Sequence, residues 1–288
     1  MTIRNPVEWG ADLFTQTSRA VGSASHAIYH DEEDANLAAP AIRKIGLADL
    51  RDALRKGFAD FGAYRTDVIF LCVVYPIIGL VLGRAAVTQN MLPLVFPLAS
   101  GFALIGPLAG VGLYEMSRQR EHGATVNWLQ AFAVLRSPSF AAIALLGATL
   151  VALFALWLYL AQVIYDQTLG PLPPVSIEAF ISALLTTSAG WTMIGVGTGV
   201  GFVFAVVVLA ISVVSFPMLL ERKVRADTAA WTSIRAVAAN PVPMAAWGLI
   251  VAGSLVLGSI PVFIGLVVVL PVLGHATWHL YRKVLEPL

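Results

Sequence analysis

His275 and His279 stand four residues apart in an apolar stretch, so a helix puts both imidazoles on one face. Such a pair can bind a metal or supply one axial haem ligand. Either use needs a further ligand from another segment. No other apolar stretch holds a histidine: His26 and His30 lie in a polar N-terminal region, and His122 lies in a polar connection. Glu115 holds the place in an earlier apolar stretch that His279 holds in the last one, which makes it the candidate partner. Tyr114 and Arg118 flank it as Trp278 and Arg282 flank His279. These seven residues (His275, His279, Trp278, Glu115, Tyr114, Arg118 and Arg282) form the candidate functional cluster. The expected role of the histidines is a hydrogen-bonded pair near a membrane interface; a partner contact and a ligand role are the alternatives. Trp278, Tyr281 and Tyr114 fit an interfacial aromatic belt. No serine–histidine–acid set and no HExxH motif is visible. No enzyme activity, cofactor or metal is therefore expected.

The elements that position these residues follow from composition. The 288-residue chain is 58% hydrophobic and 12% charged, with mean hydropathy +0.80. Soluble domains run at about 45–50% and about 25%. The net charge is +1, so nothing draws the chain to nucleic acid, and the partner that composition demands is a lipid bilayer. The one cysteine, Cys72, lies in an apolar run and reads as a small buried hydrophobe. The N-terminus lacks an apolar core, so no cleaved secretory signal is expected. Residues 1–45, with the acidic run Asp31, Glu32, Glu33 and Asp34, read as a disordered cytoplasmic tail, and residues 46–288 as one transmembrane domain.

About 20 apolar residues cross a bilayer core. Spans are expected near 67–88, 91–117, 138–165, 190–220, 242–258 and 260–281, with 176–188 as an outer-surface or re-entrant helix. This arrangement puts 17 of the 18 Lys and Arg residues on one side, Arg84 being the exception. The positive-inside rule makes that side cytoplasmic, with both termini there. In residues 47–65, Leu47, Leu50, Leu54, Phe58 and Phe61 fall on one face, and Arg51, Asp52, Arg55, Lys56 and Asp60 on the other. That pattern predicts an amphipathic helix lying on the membrane surface. The fold class is all-α, a polytopic membrane protein with six spans and three cytoplasmic-surface helices.

A threefold hairpin repeat is expected. Trp128 precedes Pro138 by ten residues, and Trp231 precedes Pro241 by ten. Pro107, Gly110, Tyr114 and Arg118 match Pro271, Gly274, Trp278 and Arg282 at the same offsets. Pro107, Pro217 and Pro271 each sit in the second span of a unit and are the candidate helix kinks. Gly195, Gly197, Gly199 and Gly201 form two small-xxx-small pairs that suit close helix packing. No ionisable residue falls at a span centre, so no buried carboxylate relay is expected.

The segments FPLASGFALIGPLAGVGLYEMSRQREHG, SFPMLLERKV and LPVLGHATWHLYRKV, with the preceding PAIRKIGLADLRDALRKGFADF, resemble a bacterial membrane family known as domain of unknown function 2189. The likeness covers roughly residues 40–285, and Glu221 replaces an aspartate. The resemblance implies an integral inner-membrane protein without an assigned activity. Members are often labelled cytochrome c oxidase subunit I, but that subunit resembles a twelve-helix bundle with six histidine ligands. Two membrane histidines fit at most an accessory or assembly component of an oxidase. The alternative is a small-solute transporter or channel, whose polar cavity would be lined by Thr186, Thr187, Ser188, Thr192 and Thr198.

Overall fold

The structure is a computed structural model and describes residues 40–73, 77, 79–81, 84, 91–124, 128–172, 174–261 and 263–286. The tail at 1–39, with His26 and His30, and most of the far half of the first expected span lie outside the described residues. So does the side chain of Cys72. Every named element among the described residues is helical.

Helix α1 (Leu47–Cys72) joins the expected surface helix to the start of the first span, with a non-helical backbone at Tyr64. Its buried stripe is not the one hydrophobicity predicts. Leu50, Ala53, Gly57 and Asp60 face inward, while Leu47 and Phe58 are more than half exposed. The reason is steric. A Cβ on Gly57 would lie 2.7 Å from both the backbone nitrogen and the Cβ of Ala276. Small residues permit that close approach, and the bulky ones are turned out.

The second expected span, 91–117, is broken. A 3-10 turn (Leu92–Leu94) precedes α2 (Val95–Leu104), α3 (Gly106–Ala109) and α4 (Val111–Glu121). Pro107 lies in the first turn of α3, where its missing N–H costs nothing. A 3-10 helix (Trp128–Arg136) leads to α5 (Phe140–Thr168). Helix α6 (Ile177–Thr186) is capped by Ser176, whose Oγ accepts from the Ala179 N–H. Thr187 alone separates it from α7 (Ser188–Ser212), and Thr187 Oγ1 caps that helix at the Gly190 N–H. Gly190 allows so sharp a turn, since a Cβ there would lie 2.3 Å from the Leu184 carbonyl oxygen. A break at Val213–Val214 precedes α8 (Ser215–Glu221), which contains Pro217. Then come α9 (Ala226–Ala239), α10 (Pro241–Ser259) and α11 (Leu266–Val284). Pro271 sits inside α11 without interrupting it.

Among the described residues, three helical stretches are long and apolar enough to cross a membrane: Phe140–Thr168, Ser188–Glu221 and Pro241–Ser259. They correspond to the third, fourth and fifth expected spans. The sixth expected span, 260–281, begins with a turn, and α11 starts only at Leu266. Its second half, from Pro271 to Tyr281, is buried throughout. That half carries two imidazoles and leads into Arg282 and Lys283, so the helix is less apolar than the other three.

The packing follows a pattern. Helix α4 packs on the 3-10 helix Trp128–Arg136, α7 and α8 pack on α9, and α11 packs most extensively on α1. Near the ends of the described chain, Ile42 and Leu285 form an antiparallel bridge. Asn240 secures the same corner: its Oδ1 accepts from the Ile45 N–H at 2.9 Å, and its Nδ2 donates to the Arg43 carbonyl at 3.1 Å. The core gathers Phe216, Met218, Met244, Trp247, Trp278 and Tyr281.

Candidate functional site

The end of the fold that carries the basic residues holds a buried polar network. Asp60 is its centre. Ser117 Oγ donates to Asp60 Oδ2 at 2.6 Å, and His279 Nε2 lies 2.8 Å from the same oxygen. Arg120 pairs with Oδ1 at 2.5 Å while its guanidinium sits over the Tyr64 ring. His275 Nδ1 lies 2.8 Å from Ser117 Oγ. Because Ser117 spends its hydrogen on the carboxylate, its oxygen accepts from His275 Nδ1–H. Burial pushes the Asp60 carboxyl upward, but hydrogen bonds from His279 and Ser117 outweigh it and hold the group below the ordinary carboxylate range.

A second set of pairs continues outward. Arg282 bridges Glu121 at 3.3 Å and Glu221 at 2.5 Å, so α11 is tied to both α4 and α8. Tyr281 OH donates to Glu221. The Glu121 carboxyl is raised by burial and lowered more by His279 and Arg282, ending below its usual value. Arg118 makes a bidentate pair with Glu115, both contacts at 2.7 Å, and Gln119 donates to the same carboxylate at 2.7 Å. Beyond Arg282, Lys283 reaches Asp52 at 2.8 Å and Asp49 at 3.5 Å on α1. The Lys283 contact is the main cause of the strongly depressed Asp52 carboxyl.

These positions correct several expectations. The partners of His279 are Asp60 and Glu121, not Glu115, which serves Arg118. Asp60 is 5% exposed and does not belong to a solvent-facing charged side of α1. Asp60 joins His279 directly and His275 through Ser117. Trp278, Tyr281 and Tyr114 are buried inside the protein rather than forming a belt against lipid headgroups. A Cβ at Gly195, Gly197 or Gly199 would meet nothing within 4 Å. Their expected packing is therefore not made among the described residues; Gly201 lies against Trp157. Thr186, Thr187, Ser188, Thr192 and Thr198 are exposed. Thr186, Thr187 and Thr192 donate to carbonyls one turn back. Ser117, Arg120, Glu121 and the acceptor role of Glu221 were not foreseen. One signal was available: Asp60 follows Gly57 by three and Ala53 by seven, which puts it on the small-residue stripe.

Chemically, the network brings serine, histidine and aspartate together in the order His275–Ser117–Asp60. A hydrolytic triad needs the imidazole in the middle, where it takes the hydroxyl proton while the acid orients it. Here the hydroxyl is in the middle and donates to the acid, so it is not activated as a nucleophile. Among the described residues, no group of three His, Cys, Asp or Glu side chains is arranged to hold a metal ion.

Described residues whose named elements are all helical, with several long apolar helices and charge gathered at one end, define an integral membrane protein. Residues 95–221 match the family model described as Predicted integral membrane protein (DUF2189), and the family resemblance is shown over that stretch. No curated protein and no solved structure matches the chain.

Proposed function

We propose that the protein is a non-catalytic component of the bacterial inner membrane, acting as an accessory or assembly factor of a larger membrane complex. A respiratory oxidase is the candidate complex, from the labels its family carries. The observation that supports this reading is where the polar groups go. Asp60, Glu115, Glu121 and Glu221 are all engaged by neighbours of the same chain. They stiffen the molecule rather than await a substrate. In this reading six spans place both termini in the cytoplasm, and the polar network faces that compartment. Affinity purification from the source membrane in mild detergent, with mass spectrometry of what stays bound, tests it. A stoichiometric complex is the expected result; a solitary protein or homo-oligomer overturns it.

A different observation favours a second reading, a small-solute transporter or channel. Each inner helix packs on the surface helix of the next unit, and α11 closes the circle on α1. That arrangement suits a threefold hairpin repeat around an axis. Solute uptake into vesicles holding the purified protein separates the two readings.

A further inference from the structure

The three elements expected at the membrane surface each turn a bulky apolar side chain and an arginine outward. On α1, Leu47 is 59% exposed, and exposed Arg51 stands one turn further along the same face. On α9, Trp231 is 63% exposed, and exposed Arg235 follows at the same spacing. In the 3-10 helix Trp128–Arg136, Leu135 is 60% exposed and Arg136 is exposed beside it. Among the described residues, no hydrogen bond or ion pair engages the guanidiniums of Arg51, Arg136 or Arg235. Arg118, Arg120 and Arg282 differ, since each is held by a carboxylate of the same chain. The acid on the outward face of α9, Asp227, is paired with Arg225. Each face therefore joins an uncompensated positive charge to an unburied apolar group.

These faces sit where apolar helices begin. Helix α5 starts at Phe140, just past Arg136, and α10 starts at Pro241, just past α9. Helix α1 runs on into the start of the first expected span. The three elements share one end of the fold: α1 packs on the 3-10 helix, and Lys44, just before α1, donates to the Ala239 carbonyl of α9 at 2.5 Å. A protein partner would meet one such face with one acidic patch, whereas a layer of headgroups meets all three at once. We propose that these faces bind anionic phospholipid headgroups in the leaflet at this end of the protein. The apolar side chain enters the boundary between headgroups and acyl chains. The guanidinium takes a phosphate through paired N–H donors. This binding is separate from the accessory and transport readings and requires neither.

Trp231 is itself the reporter for the test. The full chain is placed in phosphatidylcholine vesicles carrying a small fraction of brominated lipid, either phosphatidylglycerol or phosphatidylcholine. Quenching of Trp231 is isolated as the difference from Trp231→Phe. Brominated phosphatidylglycerol is expected to quench about fivefold more, the enrichment that one basic residue contributes at an anionic surface. Arg235→Gln should bring the two lipids level. Lys223 is exposed without a large exposed apolar neighbour, so Lys223→Gln should keep the preference. Leu47→Trp and Leu135→Trp, each in the Trp231→Phe background, should show the same preference, and Arg51→Gln and Arg136→Gln should respectively remove it. Equal quenching by the two lipids in the unaltered chain overturns the proposal. So does quenching by neither, which would put the face in water or against protein. Equal losses in Lys223→Gln and Arg235→Gln also overturn it, because charge alone would then attract the lipid. If an arginine variant does not fold, the two-lipid comparison on the unaltered chain decides.

Discussion

Asp60 is the residue on which most of the network depends. It satisfies a guanidinium, an imidazole and a hydroxyl with two oxygens, and it is buried. Removing one member of such a set leaves the others charged without a partner, at a cost of about 3–5 kcal/mol. Asp60→Asn should therefore lower stability by roughly that amount, measured by denaturant titration in micelles. The same geometry sets a pH dependence. The Asp60 and Glu121 carboxyls titrate below their unfolded values. Their stabilisation is present above pH ~4 and is lost as pH falls through the lower folded values. The unfolding midpoint should thus decline below about pH 4, and Asp60→Asn should flatten that decline.

At the scale of elements, the α1–α11 contact offers a paired test. Gly57 and Gly62 both lie in α1, where alanine for glycine ordinarily stabilises a helix by about 0.5–1 kcal/mol. A Cβ at Gly62 meets nothing within 4 Å, whereas at Gly57 it strikes the backbone and Cβ of Ala276. Gly62→Ala should stabilise by about the helical amount, and Gly57→Ala should destabilise by about 1–3 kcal/mol. Thermal unfolding of both variants reads the sign directly. This contact also explains what was legible in the sequence. Helices α5, α7 and α10 announce themselves by long apolar runs, and Ser176 and Thr187 by capping chemistry. The orientation of α1 does not, because apolarity suggests Leu47 and Phe58 as the buried face. Close approach of two backbones is decided by the smallest residues, and a hydrophobic count gives those little weight. His275 and His279 were legible as a pair because they share a helix. Asp60 and Ser117 reach them from distant segments, which no spacing rule brings together.

At the scale of the molecule, the six-span arrangement makes a prediction about sides. Val175 is 98% exposed in the segment before α6, and Lys223 is exposed in the segment before α9. With Cys72→Ser as background, Val175→Cys should react with an impermeant maleimide added outside whole cells, and Lys223→Cys should react only after permeabilisation. Reaction of both from the same side would overturn the arrangement.

The Ile42–Leu285 bridge brings the two ends of the described body into contact. A chain cut between Lys223 and Val224, with residue 286 joined to residue 40 by a short linker, would present α9 to α11 first and α1 to α8 after them. Every packing contact named above survives that rearrangement, and the new ends fall near residue 286, whose carbonyl accepts from Arg222 Nη2. Such a circular permutant should purify as a folded protein with a similar unfolding midpoint. Which segment leaves the ribosome first would then be a matter of synthesis, and the finished fold would keep no memory of it.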